Sequence, residues 1–372
     1  MGVDAWLTLL QAAQQITTRS WLAALKRCGS AEALLAEAPR LLADSESAEA
    51  LAKLASPDKA KIDRWRAWLQ GPHRALITFG SREYPKRLAE IPDAPLALWA
   101  EGRGRALLAQ PQLAIVGSRS PTADGRETAE RFARYLAQRG LTITSGLATG
   151  IDGASHRGAV AALGGTVAVL GSGLDAIFPR EHTSLAAEIV QRGVLVSEYA
   201  PGVEAQKLFF PQRNRIIAGL TLGTLVVEAT RRSGSLITAR LALDYGREVF
   251  AIPGSIHNPL ARGCHYLIRQ GAKLVEEAAD VLVELAPQLD AEGIELAPEP
   301  LAEAPEGAPV TSDPSYEKLL NALGFSPTPI GDLSTRTGLT TAELSSMLLV
   351  LELDGFVEAL PGGRYSRLAK RE

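Results

Sequence analysis

At 372 residues the chain is too long for one compact core, and its 46% apolar and 22% charged residues are ordinary globular composition, which excludes fibrous and disordered classes. No apolar run approaches the roughly 20 residues that span a bilayer, no basic secretory-type stretch opens the chain, and the distant pair Cys28 and Cys264 suits a reducing, cytoplasmic setting rather than a disulfide scaffold. The net charge of −3 conceals an asymmetry: residues 75–285 hold 23 Lys and Arg against 20 Asp and Glu, whereas residues 286–314 hold seven acids and no base.

Residues 1–72 read as a first domain of short helices. Trp6, Leu9, Leu10 and Ala13 keep the i, i+3, i+4, i+7 spacing of one helix face. Gly29 is placed to end a helix, and Ser30 to cap the next, AEALLAEA. Trp65 and Trp68 lie on a further amphipathic stretch that stops at Gly71-Pro72.

Residues 73–285 read as a second domain, whose rhythm changes at 113. LAIVG, LTITSG, TVAVLG, VLVSE, TLVVEA and EVFAIPG are short, β-branched and apolar, and a helical segment follows each of the first five. Continuous apolar strands alternating with helices predict a doubly wound α/β fold, a parallel sheet covered on both faces. The strands end at Gly117, Ser145-Gly146, Gly171 and Gly254, and the ligand crevice of such a sheet lies beyond those ends.

Residues 286–314 carry six prolines beside the seven acids and predict an extended linker. Residues 315–372 predict a winged helix. Helices at YEKLLNAL and IGDLSTRTG come first. A third opens on the capping box Thr340–Glu343 with the stripe Leu344, Met347, Leu348 and Leu351, and two short strands flank Pro361-Gly362-Gly363.

Several loops at the strand ends suit anions. Gly117, Ser118 and Arg119 precede a helix that Thr122 or Asp124 can start, so loop amides and a helix N-terminus meet a base there. Ser145, Gly146 and Gly150 leave a second loop open to close approach, and Ser233, Gly234 and Ser235 form a third cradle beside Arg231 and Arg232. Asp152 and His156, four apart, form either an acid–base pair or a structural contact, of which the structural contact is the expected one. The segment GSGLDA, 171–176, imitates a dinucleotide fingerprint, with Glu198 at the ribose position. Phe178-Pro179 delays the following helix to about Arg180, so no amide cradle for a pyrophosphate is expected, and neither a cofactor nor a metal.

The most informative stretch is KLFFPQRNRIIAGL, 207–220. Lys207, Arg213 and Arg215 are interleaved with Phe209 and Phe210 and accompanied by Asn214. Bases that neutralise phosphate beside rings that stack on nucleobases are what single-stranded nucleic acid needs. The competing reading places a phenylalanine in the core and the arginines in salt bridges. No P-loop, GxSxG or HExxH motif occurs, which favours binding over catalysis.

GSR at 117–119, SGLATGID at 145–152, TVAVLGSGLDAIFP at 166–179, FPQRNRIIAGL at 210–220 and SGSLITARLALDYGREVFAIPG at 233–254 together resemble the DNA processing protein A family (DprA, also called Smf). YPKRLAEIPDAPLALWAEG at 84–102 is similar to the family's lead-in, and the C-terminal module to its winged helix. The resemblance implies a Rossmann-like central domain, a helical, SAM-like N-terminal domain and a winged helix. It implies a cytoplasmic homodimer that protects incoming single-stranded DNA and helps load RecA recombinase in natural transformation, without being an enzyme. It carries DNA contacts onto Ser118, Arg119, Lys207, Phe210, Arg213, Asn214 and Arg215, with the glycine loops as walls. His265 departs from the family, where an asparagine is usual, and QQITTRSW lacks the glycines of DNA-binding hairpins, so residues 1–72 are expected to have no DNA role. Between Arg336 and Arg364 there is no base, but Glu343, Glu352, Asp354 and Glu358, so the winged helix is expected to contact protein rather than duplex DNA. The alternative is a nucleotide-handling enzyme of the phosphoribohydrolase type on the same fold. Its PGGxGTxxE signature is missing from the comparable stretch, EATRRSGS.

Overall fold

Alternation of side chains along each apolar run decides what the run can join. The structure is a computed structural model and describes residues 2–41, 48–298, 314–323 and 327–368. The first strands in the chain are β1 (Arg74–Thr78), β2 (Ala97–Glu101), β3 (Gln112–Val116), β4 (Thr142–Ser145) and β5 (Thr166–Leu170). They are followed by β6 (Val194–Ser197), β7 (Gly223–Val226), β8 (Glu248–Ala251) and β9 (Lys273–Leu274). They form one sheet in the order β1-β2-β6-β5-β4-β3-β7-β8-β9. From β6 to β9 every pairing is parallel, and β3 is buried on both faces. In β3, Leu113 and Ile115 pack with the helices Ala123–Gln138 and Ala278–Ala291, while Ala114 and Val116 pack with Phe209–Leu220 on the opposite face.

The chain steps outward from β3 through β4 and β5 to β6, then returns to lay β7 on the other side of β3. Neighbouring loops diverge there, which places the crevice of the doubly wound sheet outside β3 and β7. The six strands expected are β3 to β8. The edge strands were not foreseen: β2 runs antiparallel to β6, with Trp99 opposite Ser197, and β1 antiparallel to β2. The parallel sheet is therefore extended by an antiparallel margin built from the lead-in segment.

Residues 1–72 do not stand apart as a separate domain. The chain divides into two compact units, Met1–Glu299 and Pro300–Glu372, and the N-terminal helices belong to the first. Helices of ten or eleven residues with apolar stripes cannot bury those stripes among themselves, so they use the sheet. Trp6, Leu9, Trp21 and Leu25 join the same buried core as Ile77 of β1 and Leu98 of β2, and Trp65 and Trp68 meet Trp99 of β2 edge-on at 5.6 and 5.7 Å. The local signals in this region are present as expected: Gly29 ends its helix at φ 80°, and the Ser30 hydroxyl accepts from Ala33 N.

The acidic connector begins later than 286. Helix Ala278–Ala291 runs through Pro287, because Val281, Leu282, Leu285 and Leu289 form a buried stripe along it. A proline inside a helix forfeits one hydrogen bond, and burying Leu289 beyond it offsets that loss. Of the expected linker, residues 299–313 lie outside the described residues.

The second unit is a winged helix. Its helices Pro314–Leu323, Ile330–Thr337 and Thr341–Leu353 bury Leu319, Leu333, Leu344, Leu348 and Leu351, and its three short strands include the antiparallel pair Val357–Leu360 and Arg364–Arg367. Gly338 closes the second helix at φ 73°, and Thr340 and Glu343 form the expected reciprocal capping box.

Trp99 ties the N-terminal helices to the sheet margin. Trp99→Ala is expected to lower the unfolding free energy by about 3–5 kcal/mol in urea titration, the usual range for truncating a buried tryptophan.

Candidate functional site

Two of the loops that suit an anion are already filled by the protein's own carboxylates. Thr122 caps helix Ala123–Gln138 by accepting from Gly125 N, and Glu228, just past β7, accepts from Thr122 N at 2.9 Å and from its hydroxyl at 2.7 Å. A side chain at Gly125 would come within 2.5 Å of that carboxylate. In the loop after β4, the Asp152 carboxylate accepts from Gly146 N and Ala148 N. Neither loop is a vacant phosphate cradle, which corrects the expectation for both. Ser145 is buried and donates to Ile115 O, so it serves the sheet. Gly150, at φ 78°, lies against the Ser118 carbonyl, and Ile151 N and Thr149 Oγ1 donate to Ser118 O and Arg119 O. These contacts stitch the β3 and β4 loops together and present Arg119 outward, exposed.

The basic–aromatic run 207–220 divides between interior and surface. Arg213 is only 4% exposed. Its guanidinium donates to Gly146 O at 2.6 Å and to Val169 O, and it faces Asp152 across the buried loop. Burial lowers its pKa to about 10, which leaves it charged at neutral pH. Arg215 donates through one nitrogen to both Glu198 oxygens at 2.6 Å, and Asp93 lies 3.4 Å away. Both arginines are therefore removed from the list of phosphate contacts, and the competing sequence reading holds for them. Glu198, the imagined ribose carboxylate, is occupied by Arg215. Phe209, half-buried like Phe210, stacks on Tyr199 at 4.1 Å.

What remains outside is a small platform. The Phe210 ring packs over Gly171 at the end of β5, beside Phe178 at 5.4 Å, and the Arg119 guanidinium lies 5.4 Å above it. Phe178 is 49% exposed and was missed at the sequence level, although its ring directly precedes the proline that delays the helix. Lys207, exposed and without an ion pair among the described residues, lies in the turn that leads into this helix, and Asn214 follows Phe210 by four residues, on the same helix face. Asn214 Nδ2 donates to Gly234 O at 3.4 Å and so sets the Ser233–Ser235 loop against this face. Helix Ser235–Asp244 has no side-chain cap at its N-terminus, unlike the helix after β3. Ser233 and Gly234 are accessible there. Ser235 is buried and shares a 2.7 Å hydroxyl contact with Ser233. The structure thus brings together Gly117, Ser118, Arg119, Phe210, Asn214, Ser233 and Gly234 around the strand ends, leaves Lys207 exposed in the turn before the Phe210 helix, and assigns Ser145, Gly146, Gly150, Arg213, Arg215 and Ser235 to the frame behind them.

The remaining polar candidates are structural. His156 bonds Thr166 Oγ1 and Leu147 N rather than Asp152, and burial lowers its pKa to about 3. Cys264 Sγ lies on the Val226 and Val227 carbonyls, while His265 accepts from Gly254 N, so the two point to different partners.

Comparison with known proteins adds a separate line of observation. Residues 75–286 match the family model for DNA recombination-mediator protein A, and residues 303–363 match that for the DprA winged helix domain. The chain is 45% identical over 318 residues to protein Smf of Escherichia coli (strain K12), covering 85% of this chain and 83% of that one. It also resembles the X-ray structure of DNA processing protein A from Streptococcus pneumoniae, with a TM-score of 0.68 and 38% identity over 76% of this chain and 97% of that one. A third likeness is to DNA processing protein A from Helicobacter pylori, known for its single-stranded DNA binding mode, with a TM-score of 0.52 and 29% identity over 58% and 98% of the respective chains.

The division between frame and surface has a measurable signature. Arg213→Ala leaves the buried carbonyls of Gly146 and Val169 without their donor and is expected to lower stability by about 2–5 kcal/mol. Lys207→Ala is expected to stay within about 0.5 kcal/mol. Paired urea titrations check both, and equal, small effects would contradict the division.

Proposed function

The chain belongs to the DNA recombination-mediator protein A family, and on that premise we propose that it is a single-stranded DNA-binding protein that works by preorganised binding rather than turnover. The observation that carries this reading is the Arg119 guanidinium stacked over Phe210 at the rim of the sheet, with Phe178 alongside and Lys207 exposed in the turn before, without an ion pair among the described residues. A ring face accepts any unstacked base, and a guanidinium and an ammonium neutralise phosphates. A duplex keeps its bases stacked on each other and gains nothing from the rings. Sequence preference is weak, because the contacts do not read base edges.

The wider role follows family resemblance: protection of incoming single strands and help in loading RecA recombinase during natural transformation, by a cytoplasmic homodimer. No described helix is long and apolar enough to cross a membrane. The winged helix is read as a protein-contact module. Its third helix leaves Leu349 and Leu353 exposed, at 57% and 80%, in a stretch whose only charges are acidic. Phosphate is repelled by such a surface, whereas an apolar or basic protein face is not.

Oligonucleotide titrations across a salt series test the binding reading. Wild type is expected to prefer a single strand to a duplex of the same sequence by at least about tenfold. Arg119→Ala and Lys207→Ala should each flatten the logarithmic salt slope by about 0.7, the value for one phosphate contact on a single strand. Phe210→Ala should weaken binding by about 1–3 kcal/mol with the slope unchanged. Equal affinity for duplex, or a salt-independent affinity, would overturn the proposal.

A further inference from the structure

Charge along the rim of the sheet is one-sided. Between Ala229 and Leu243, and again between Ile252 and Gln270, the chain has five arginines and no Asp or Glu. Glu228, just before the first stretch, is turned inward onto Thr122. On the other flank, the segments after β5 and β6 carry Asp175, Glu181 and Glu204 beside Arg180 and Lys207. A polyanion leaving the Phe210 platform therefore meets mixed charge on the β6 side and unopposed positive charge on the β8 side.

The β8 side repeats the chemistry of the platform. The Arg231 guanidinium lies 5.6 Å from the centre of the Tyr266 ring. Arg262 stands one turn before Tyr266 on helix Arg262–Arg269, so the two share a face. Arg231, Arg232 and Arg262 are exposed, and among the described residues none has a carboxylate partner. The arrangement is held by backbone: Ala229 N donates to Leu260 O at 2.6 Å, and Gly263 N to Ala229 O at 2.7 Å. The same loop is bound to the Phe210 helix through Asn214 and Gly234. Because β3, β7 and β8 are neighbours in the sheet, their loops follow one another at about 5 Å steps.

We propose that Tyr266, with Arg231, Arg232 and Arg262, forms a second stacking subsite for single-stranded DNA, which continues the strand from the Phe210 platform across Ser233 and Gly234 toward β8. The proposal rests on the single-strand reading above and extends it by naming the direction and extent of the track. The subsite takes any base, since a ring face and three guanidinium groups carry no base-edge code. A short oligonucleotide is held by the Phe210 platform alone, and a longer one reaches both.

The test compares oligothymidylates of about four and about sixteen nucleotides, the limits of common single-strand sites. The proteins are wild type, Tyr266→Ala, the double variant Arg231→Ala/Arg232→Ala, and Arg119→Ala, all as full chains. For the long strand, Tyr266→Ala is expected to lose at least about fivefold in affinity, the low end for one stacked base. The arginine double variant should flatten the salt slope by about 1.4. Both should bind the short strand as wild type does, whereas Arg119→Ala loses affinity at both lengths. The arginine pair is exposed, so its variant also serves should Tyr266→Ala fold poorly. If Arg119→Ala weakens binding and the Tyr266 and arginine variants match wild type at both lengths, the second subsite is overturned and the platform stands. If wild type shows no preference for single strands, the underlying reading falls, and this one with it.

Discussion

One buried cation organises the strand ends. Arg213 reaches from helix Phe209–Leu220 to the carbonyls of Gly146 and Val169, at the ends of β4 and β5, and faces Asp152 beneath them. Removing a guanidinium from water is tolerable only where carbonyls and a counter-charge receive it, and this loop supplies both. Arg215, two residues on, grips Glu198 beyond β6. The helix is thereby pinned on two sides, which leaves Phe210 and Asn214 half-buried at the margin of its buried face. The position of the Phe210 platform is a consequence of how the buried arginines are satisfied.

The same economy governs the anion positions of the sheet. A doubly wound fold offers amides at its strand ends, and in cofactor-binding members of that architecture a pyrophosphate takes them. Here Glu228 takes the N-terminus of the helix after β3, and Asp152 the loop after β4. A dinucleotide would have to displace a carboxylate held by two hydrogen bonds in each place. The crevice is closed to a compact cofactor, while the rim above it stays open to a ligand that lies across the top. That geometry suits a chain of phosphates better than a single buried one.

Local chemistry was legible in the sequence, and direction was not. Gly29, Ser30, Gly338 and the Thr340–Glu343 box act within one turn, so residue type alone places them. The six central strands were plain because burial on both faces leaves unbroken apolar runs. Arg213 and Arg215 were misassigned because a basic–aromatic run does not say which way each side chain points. Helical phase holds the missing signal for one of them. Ile216, Ile217 and Leu220 follow Arg213 at i+3, i+4 and i+7, which places Arg213 on the buried face. Phe210 and Asn214 lie at the margin of that face. For the linker, prolines outweighed the stripe Val281, Leu282, Leu285 and Leu289, although the stripe determines where the helix stops. The antiparallel margin was hidden for a different reason: a five-residue strand next to Pro95 is identified by its partner, Trp99 opposite Ser197, and pairing is not a local property.

The frame's rigidity bears on how a flexible ligand can be held. An unpaired strand loses conformational freedom on binding, so affinity depends on how little the protein must reorganise as well. Arg119 needs no reorganisation, since its guanidinium already lies over Phe210 in the free chain, and its loop is stitched by Gly150, Ile151 and Thr149. On the binding reading proposed above, a base arriving at the platform meets a ring pair that is already in contact, Phe210 and Phe178 being 5.4 Å apart between centres and tilted 40°. It therefore has to share or replace the Arg119 contact on the face of Phe210, and the guanidinium it displaces stays beside it as a partner for the adjoining phosphate.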